Sequence, residues 1–298
     1  MSVAIVQGLA ELAPRYDWLL CDIWGVLHDG IRAFEPACDA LVRFRSSPSE
    51  GRPKRVVLLT NAPRPWPQVQ RQLDRLAVPR HAYDAIVTSG DLTRSLIAER
   101  GSQVIHHLGP ERDLPTFDGL DPILGDLEEA DYVVCTGLLD DERETAADYA
   151  ERLDRMRARG LVMVCANPDL VVERGDRLIA CAGALGLAYE EIGGTVIYAG
   201  KPHGPVYGLA LARAAALDGG SALPLERVLA VGDALRTDIA GARAAGLDSL
   251  FVARGIHAGE VAGGPPEGRA DRVAAWLEGQ PVRPTYVVGD LAWRVAVD

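Results

Sequence analysis

Five polar side chains stand at the ends of short apolar runs. Asp22 follows WLLC, Thr60 and Asn61 follow VVLL, Lys201 follows VIYAG, and Asp233 follows VLAVG. Each run is typical of a buried strand. Parallel strands carry their ligand sites at their carboxyl ends, so the sequence predicts that these side chains meet at one edge of a sheet.

Carboxylates, a hydroxyl, an amide and an ammonium group together fit phosphoryl transfer, in which positioning and charge neutralisation supply most of the catalysis. Asp22 is the candidate nucleophile, and Mg²⁺ between Asp22 and Asp233 would relieve the repulsion of two carboxylates. Lys201 would neutralise the developing charge. The Thr60 hydroxyl and the Asn61 N–H would hold phosphate oxygens. Each feature alone is typical of a turn or a solvated side chain, but their recurrence at four strand ends favours a site.

Strand-like runs alternate with helical stretches along most of the chain, which predicts an α/β fold with parallel sheets covered on both faces. Glu35-Pro36 predicts the start of the first long helix, because proline is favoured in the first helical turn. At 298 residues the chain exceeds one typical core, so we expect two domains.

The composition disfavours some partners. The formal net charge is −11 and basic residues form no run, so we predict binding neither to nucleic acid nor to a membrane surface. The N-terminus does not resemble a signal peptide, and no apolar run approaches the roughly 20 residues of a membrane span. The five scattered cysteines are typical of reduced, buried thiols. We therefore predict a cytoplasmic protein.

At these residues the sequence resembles the haloacid dehalogenase (HAD) superfamily of phosphatases, most closely its subclass IIA, the NagD-like group. The four family motifs match DIWGVL (22–27), LLTN (58–61), GKP (200–202) and GDALRTD (232–238). The likeness continues through TSGD (88–91), ANPD (166–169) and ACAGAL (180–185), and so covers nearly the whole chain.

This resemblance implies a Rossmann-like parallel-sheet core with an inserted α/β cap of the C2 type. The core would comprise residues 1–84 and 197–298, and the cap residues 85–196. The cap would close over the leaving group and select a small phosphorylated substrate. Caps of this group often form dimer contacts, so a homodimer through the cap is a further expectation.

The resemblance also implies a metal site. Mg²⁺ would be held by Asp22, by the backbone carbonyl of Trp24 and by Asp233. Asp238 would lie behind these ligands and hold metal-bound water or Lys201.

The sequence departs from the family at Trp24. Family phosphatases carry there an aspartate that protonates the leaving oxygen and then activates water. An indole N–H only donates hydrogen bonds, and loss of a positioned acid–base typically costs about 10²–10⁴-fold in rate. His28 or Asp29 could substitute, although both also fit a polar turn. Alternatively, the leaving group needs no proton, as in an acyl phosphate.

Three functions therefore stay open. The leading prediction is an Mg²⁺-dependent hydrolase of a small phosphorylated metabolite that works through an aspartyl-phosphate on Asp22. The alternative is a catalytically impaired protein that binds a phosphorylated ligand or regulates. A haloacid dehalogenase is disfavoured, because displacement of halogen from carbon has no need of the metal site implied by Asp233 and Asp238.

Overall fold

A computed structural model describes residues 3–48, 53–174, 177–254 and 269–294. The chain forms two compact units. The first takes Met1–Thr60, Gln70–Val87 and Tyr207–Asp298, and the second takes Asn61–Val69 and Thr88–Val206. Among the described residues, no helix has the length and apolar character needed to cross a membrane.

The strands follow one another along the chain, and most are short. They are β1 (Ala4–Ile5), β2 (Trp18–Cys21), β3 (Arg55–Thr60), β4 (Ala85–Thr88), β5 (Val104–Leu108), β6 (Ile123–Leu124), β7 (Tyr132–Cys135), β8 (Val162–Cys165), β9 (Val171–Arg174), β10 (Arg177–Ala180), β11 (Thr195–Tyr198), β12 (Val228–Gly232), β13 (Asp248–Val252) and β14 (Tyr286–Val288).

The α-helices lie between these strands. They are α1 (Glu35–Ser46), α2 (Trp66–Arg75), α3 (Ser89–Arg100), α4 (Ala150–Ala158), α5 (Ala182–Glu191), α6 (Gly204–Leu217), α7 (Ala240–Ala244) and α8 (Arg269–Leu277). Helix α1 begins at Glu35 with proline in its first turn, as predicted. Helix α3 begins with a capping box, in which Thr88 and Asp91 each bond the backbone N–H of the other.

The first unit contains a seven-stranded sheet in the order β1-β14-β13-β12-β2-β3-β4. Strand β2 pairs in parallel with β12 on one side and with β3 on the other. All residues of β2 and β12 are buried, as expected for strands with both faces covered. The carboxyl ends of these central strands therefore lie next to one another.

The second unit contains a five-stranded sheet in the order β11-β8-β7-β5-β6, in which every pairing is parallel. Alternate residues of β7 pack on opposite faces. Val133 and Cys135 join a core with α5 residues such as Leu185, while Tyr132 and Val134 join a second core. An antiparallel hairpin, β9 and β10, completes the unit.

The predicted fold class is confirmed: parallel sheets with interleaved helices build both units, and the second unit is inserted in the sequence of the first. The predicted boundaries near residues 84 and 196, and the assignment of residues 85–196 as a cap, stay predictions. All five cysteines are free and buried, in accord with the predicted reduced thiols.

Candidate active site

Strand register brings two of the predicted carboxylates to one edge of the first sheet. Cys21 of β2 pairs with Val231 of β12, and the next N–H, that of Asp22, donates to the Val231 carbonyl at 2.8 Å. Asp22 and Asp233 therefore leave adjacent strand ends. Both are buried, with 8% and 6% of their surface exposed.

A third carboxylate, that of Asp238, completes the cluster. Asp22, Asp233 and Asp238 each present an oxygen within 4.8 Å of the other two. A π-helical turn over Leu235–Ile239 returns Asp238 towards the strand end, where its Oδ2 accepts from the Ala234 N–H at 3.1 Å. Such a turn is frequent at functional sites.

Two glycines allow the backbone to approach these carboxylates closely. Gly25 has φ +80°, and a Cβ there would overlap the Asp233 carboxylate. A Cβ on Gly232 would likewise overlap the Asp238 carboxylate. Glycine at these positions is therefore required by space, and at Gly25 also by backbone conformation.

This donor set fits Mg²⁺. Buried carboxylates that crowd one another repel unless a cation or protons intervene, and Mg²⁺ prefers oxygen ligands, usually one or two carboxylates with water and substrate phosphate. Among the described residues, Asp22, Asp233 and Asp238 form the one group of three or more acidic, histidine or cysteine side chains that lie close enough together to hold an ion. The third predicted ligand, the Trp24 carbonyl, stays a prediction.

The Trp24 side chain packs against its own loop. The Gly25 N–H donates to the His28 carbonyl at 2.8 Å, and the Trp24 and His28 rings meet edge to face at 5.0 Å between centroids. Gly30, with φ +86°, lies so close to the indole that a Cβ there would stand 2.6 Å from Cζ2. The indole therefore packs between His28 and Gly30 of its own loop.

Both predicted substitutes for the missing acid are engaged in this loop. His28 is 1% exposed, its Nδ1 accepts from the Gly30 N–H at 2.9 Å, and burial lowers its pKa from 6.5 to about 4. Burial raises the pKa of the Asp29 carboxyl, but the N–H groups of Arg32 and Ile31 and the Arg32 guanidinium outweigh it, so the pKa falls below 3.8. These contacts favour a structural turn for both residues. Their role as acids stays a prediction.

The predicted phosphate-binding residues are distributed over the two units. Thr60 ends β3 in the first unit and is buried. Asn61 and Lys201 belong to the second unit, where the Asn61 side chain bonds both backbone groups of Lys201, at 2.7 Å and 3.1 Å. The structure thus brings Asp22, Asp233 and Asp238 together, and Asn61 together with Lys201. The meeting of all of these residues at one rim stays a prediction.

The sequence reasoning missed two neighbours of Asn61. Ser89 Oγ donates to Asn61 Oδ1 at 3.2 Å, and Asn61 Nδ2 donates to Asp169 Oδ1 at 2.9 Å. The only signal was that both lie in the segments TSGD and ANPD, which carry the family resemblance.

Two segments of the chain match known protein families. Residues 19–121 match the haloacid dehalogenase-like hydrolase family, and residues 198–293 match the HAD-hydrolase-like family. A relative of known activity matches over nearly the full length of this chain. D-glycerol 3-phosphate phosphatase of Mycobacterium tuberculosis is 30% identical over 295 residues, which are 95% of this chain and 72% of the relative.

Solved structures match as well. A haloacid dehalogenase-like hydrolase from Brucella suis 1330 is 45% identical, with a TM-score of 0.84 over 97% of this chain and 100% of that chain. Glycerol phosphate phosphatase from M. tuberculosis, in complex with magnesium, is 26% identical, with a TM-score of 0.66 over 96% of this chain and 78% of that one.

The fold is thus of the Rossmann-like α/β class, and the proteins that the chain resembles are hydrolases. The chain belongs to the haloacid dehalogenase-like hydrolases, which confirms the resemblance drawn from its motifs.

Proposed function

We propose that this protein is an Mg²⁺-dependent phosphatase that hydrolyses a small phosphorylated compound through an aspartyl-phosphate on Asp22. The observation that carries the proposal is the buried group of Asp22, Asp233 and Asp238, whose oxygens lie within 4.8 Å of one another. Support comes from the M. tuberculosis glycerol phosphate phosphatase, a relative whose structure holds magnesium.

Asp22, the Trp24 carbonyl and Asp233 would hold the metal, which would supply charge neutralisation to the phosphate. One Asp22 carboxylate oxygen attacks phosphorus while the bond from phosphorus to the leaving oxygen breaks. Water then attacks the aspartyl-phosphate, releases inorganic phosphate and restores the carboxylate. Asp238 would lie behind these ligands and hold water or Lys201.

The remaining residues would hold the transferring group. The Thr60 hydroxyl and the Asn61 N–H donate to its oxygens, and the Lys201 ammonium neutralises charge that develops in the transition state. Residues 85–196 would act as the cap and select the substrate.

Position 24 narrows the substrate class. The indole cannot protonate a leaving oxygen, and His28 and Asp29 are engaged by backbone groups of their own turn. We therefore expect acyl phosphates and esters of acidic alcohols or phenols to react well, since they leave without a proton. Simple alkyl esters would react slowly.

The test is phosphate release, with Mg²⁺, from a panel of acyl, aryl and alkyl phosphates. Asp22→Asn should abolish release and also the acid-stable, hydroxylamine-sensitive label that phosphate leaves on an aspartate. Asp39→Asn makes the same change of charge at an exposed side chain of α1, which is paired with Arg43, and should retain activity. Activity that survives in Asp22→Asn would contradict the proposal.

A second variant tests the leaving group. Trp24→Asp supplies a carboxyl group at the position of the family's acid–base, so alkyl phosphates should gain about 10²–10⁴-fold while aryl phosphates gain much less. An equal gain for both classes would mean that the wild-type rate is not limited by the missing protonation of the leaving group.

Trp24 also favours a second candidate, a protein that binds a phosphorylated ligand without efficient turnover. In that case wild type releases no phosphate from any compound but binds orthovanadate or inorganic phosphate with Mg²⁺. Activity in Trp24→Asp would then show that the remaining machinery is intact.

The expectations on location and assembly stay proposals. We propose a cytoplasmic protein without nucleic-acid or membrane partners, in view of its net charge of −11. A homodimer through the cap is likewise a proposal, which sedimentation of the full chain would test.

A further inference from the structure

The Asn61 side chain holds the backbone of Lys201 through both of its polar groups. Asn61 Oδ1 accepts from the Lys201 N–H at 2.7 Å, and Asn61 Nδ2 donates to the Lys201 carbonyl at 3.1 Å. Both residues are buried, with 3% of their surface exposed. The amide thus pairs with Lys201 as a neighbouring strand would.

Two more side chains fix the amide itself. Ser89, fully buried at the start of α3, donates its hydroxyl to Asn61 Oδ1 at 3.2 Å. Asn61 Nδ2 donates its other hydrogen to Asp169 Oδ1 at 2.9 Å. An asparagine side chain has two donor hydrogens and two acceptor lone pairs, and all four positions are used. We call Asn61, Ser89, Asp169 and Lys201 the Asn61 clamp.

Gly200 shows how tightly the clamp closes. A Cβ on Gly200 would overlap Ser89 Oγ and Asn61 Oδ1, and would stand 2.8 Å from Cδ of Pro168. A methyl group at this position would enter the clamp without removing any of its hydrogen-bonding groups.

We propose that Asn61 and Asp169 are positioning residues that act through Lys201: the clamp fixes the Lys201 backbone so that its ammonium group meets the phosphate. The inference rests on the proposed function, which assigns the phosphate charge to Lys201. Without the clamp, the buried N–H and carbonyl of Lys201 lose their hydrogen bonds to Asn61, and the backbone of Lys201 is less firmly held. A displacement of about 1 Å in a positioned group can cost about 10²-fold in rate.

The sharpest perturbation exchanges donor and acceptor inside the clamp. Asn61→Asp keeps an oxygen for the Lys201 N–H but turns a carboxylate towards the Lys201 carbonyl and towards Asp169. The double variant Asn61→Asp/Asp169→Asn restores a donor opposite that carboxylate. Gly200→Ala is an independent variant that opens the clamp without a change of charge.

Two readouts need no turnover. Hydrogen exchange of the segment 199–203, followed by mass spectrometry, reports whether the Lys201 N–H is held. Calorimetric titration of orthovanadate, with Mg²⁺ present, reports the dissociation constant of a phosphate analogue separately from the fraction of folded protein. For Asn61→Asp and for Gly200→Ala we expect at least tenfold faster exchange and a 10- to 100-fold weaker dissociation constant. The double variant should recover part of both, because the asparagine introduced at position 169 can donate to the carboxylate at position 61 while the Lys201 carbonyl still lacks its donor.

Lys201→Met separates positioning from general disruption. If Asn61 acts through Lys201, adding Asn61→Asp to Lys201→Met should weaken orthovanadate binding by less than about twofold more, because the interaction is already lost. Independent, multiplying effects would overturn the inference, as would fast exchange with unchanged orthovanadate binding. Unchanged exchange would show that Asn61 does not hold Lys201. If wild type binds no orthovanadate, the proposed function fails, and hydrogen exchange alone then decides whether the clamp holds Lys201.

Discussion

Replacing Gly25 by alanine should damage the carboxylate cluster specifically. Gly25 has φ +80°, so any other residue pays roughly 1–2 kcal/mol for the left-handed backbone conformation. The added methyl group would also overlap the Asp233 carboxylate, whose Cγ would lie 2.7 Å away. Because Asp233 is the proposed ligand, its displacement should weaken Mg²⁺ binding by at least about tenfold.

Gly246→Ala is the matched control. Gly246 has φ +72°, and an added Cβ there would meet nothing within 4 Å. It therefore carries the same backbone penalty in the same unit without touching the cluster. When metal is absent, Gly246→Ala should lose roughly 1–2 kcal/mol in free energy of unfolding, and Gly25→Ala at least as much, because its methyl group also displaces Asp233.

The assay is urea unfolding of EDTA-treated protein with and without Mg²⁺. At a Mg²⁺ concentration 100 times its dissociation constant, wild type and Gly246→Ala should gain about 2.7 kcal/mol. A tenfold weaker site gains only about 1.4 kcal/mol, and a 100-fold weaker site about 0.4 kcal/mol. If Gly25→Ala gains as much as Gly246→Ala, Asp233 is not a ligand in the observed position, and the reasoning is refuted.

Three further predictions concern charge. Asp233→Asn removes one of three mutually repelling carboxylates, so without metal it should raise the free energy of unfolding by about 1–2 kcal/mol and abolish the gain from Mg²⁺; a less stable metal-free variant would contradict this. Burial lowers the pKa of His107 from 6.5 to about 4, so between these pH values His107 is protonated in the unfolded chain but neutral in the folded protein. Stability should therefore be complete above pH 6.5 and fall by up to about 3 kcal/mol as the pH drops to 4, a slope that urea unfolding should find weaker in His107→Gln. Lys54→Met removes one cation from the buried Asp17, which keeps Arg227, and should cost up to about 3 kcal/mol in the same assay, whereas an unchanged stability would mean that the pair of Lys54 and Asp17 contributes nothing.

Much of the carboxylate cluster could be predicted, because it follows from strand ends. The runs before Asp22 and Asp233 are apolar, and parallel pairing of β2 with β12 then leaves little freedom in where the carboxylates emerge. The position of Asp238 could not be derived from periodicity. It depends on a π-helical turn, with the Ile239 N–H bonded to the Ala234 carbonyl at 3.2 Å, and no residue pattern specifies such a turn.

The surroundings of Asn61 were beyond the sequence for a different reason. The partners of its amide stand 28, 108 and 140 positions away along the chain. Such contacts depend on the packing of a whole unit and not on local pattern. The sequence analysis assigned a backbone role to Asn61, and the side chain turned out to hold as many contacts as an amide can make.

The surroundings of Trp24 bear on the proposed role of position 24. The metal role proposed for this position uses the backbone carbonyl, which every residue provides, so the side chain can change without loss of a ligand. The indole packs on Gly30 and against the His28 ring. A residue with a Cβ at position 30 would overlap the indole. The buried His28 stabilises this contact, because its Nδ1 accepts a hydrogen bond from the Gly30 N–H. The loop is therefore built around an aromatic residue at position 24, which supports the proposal of a substrate whose leaving group needs no proton.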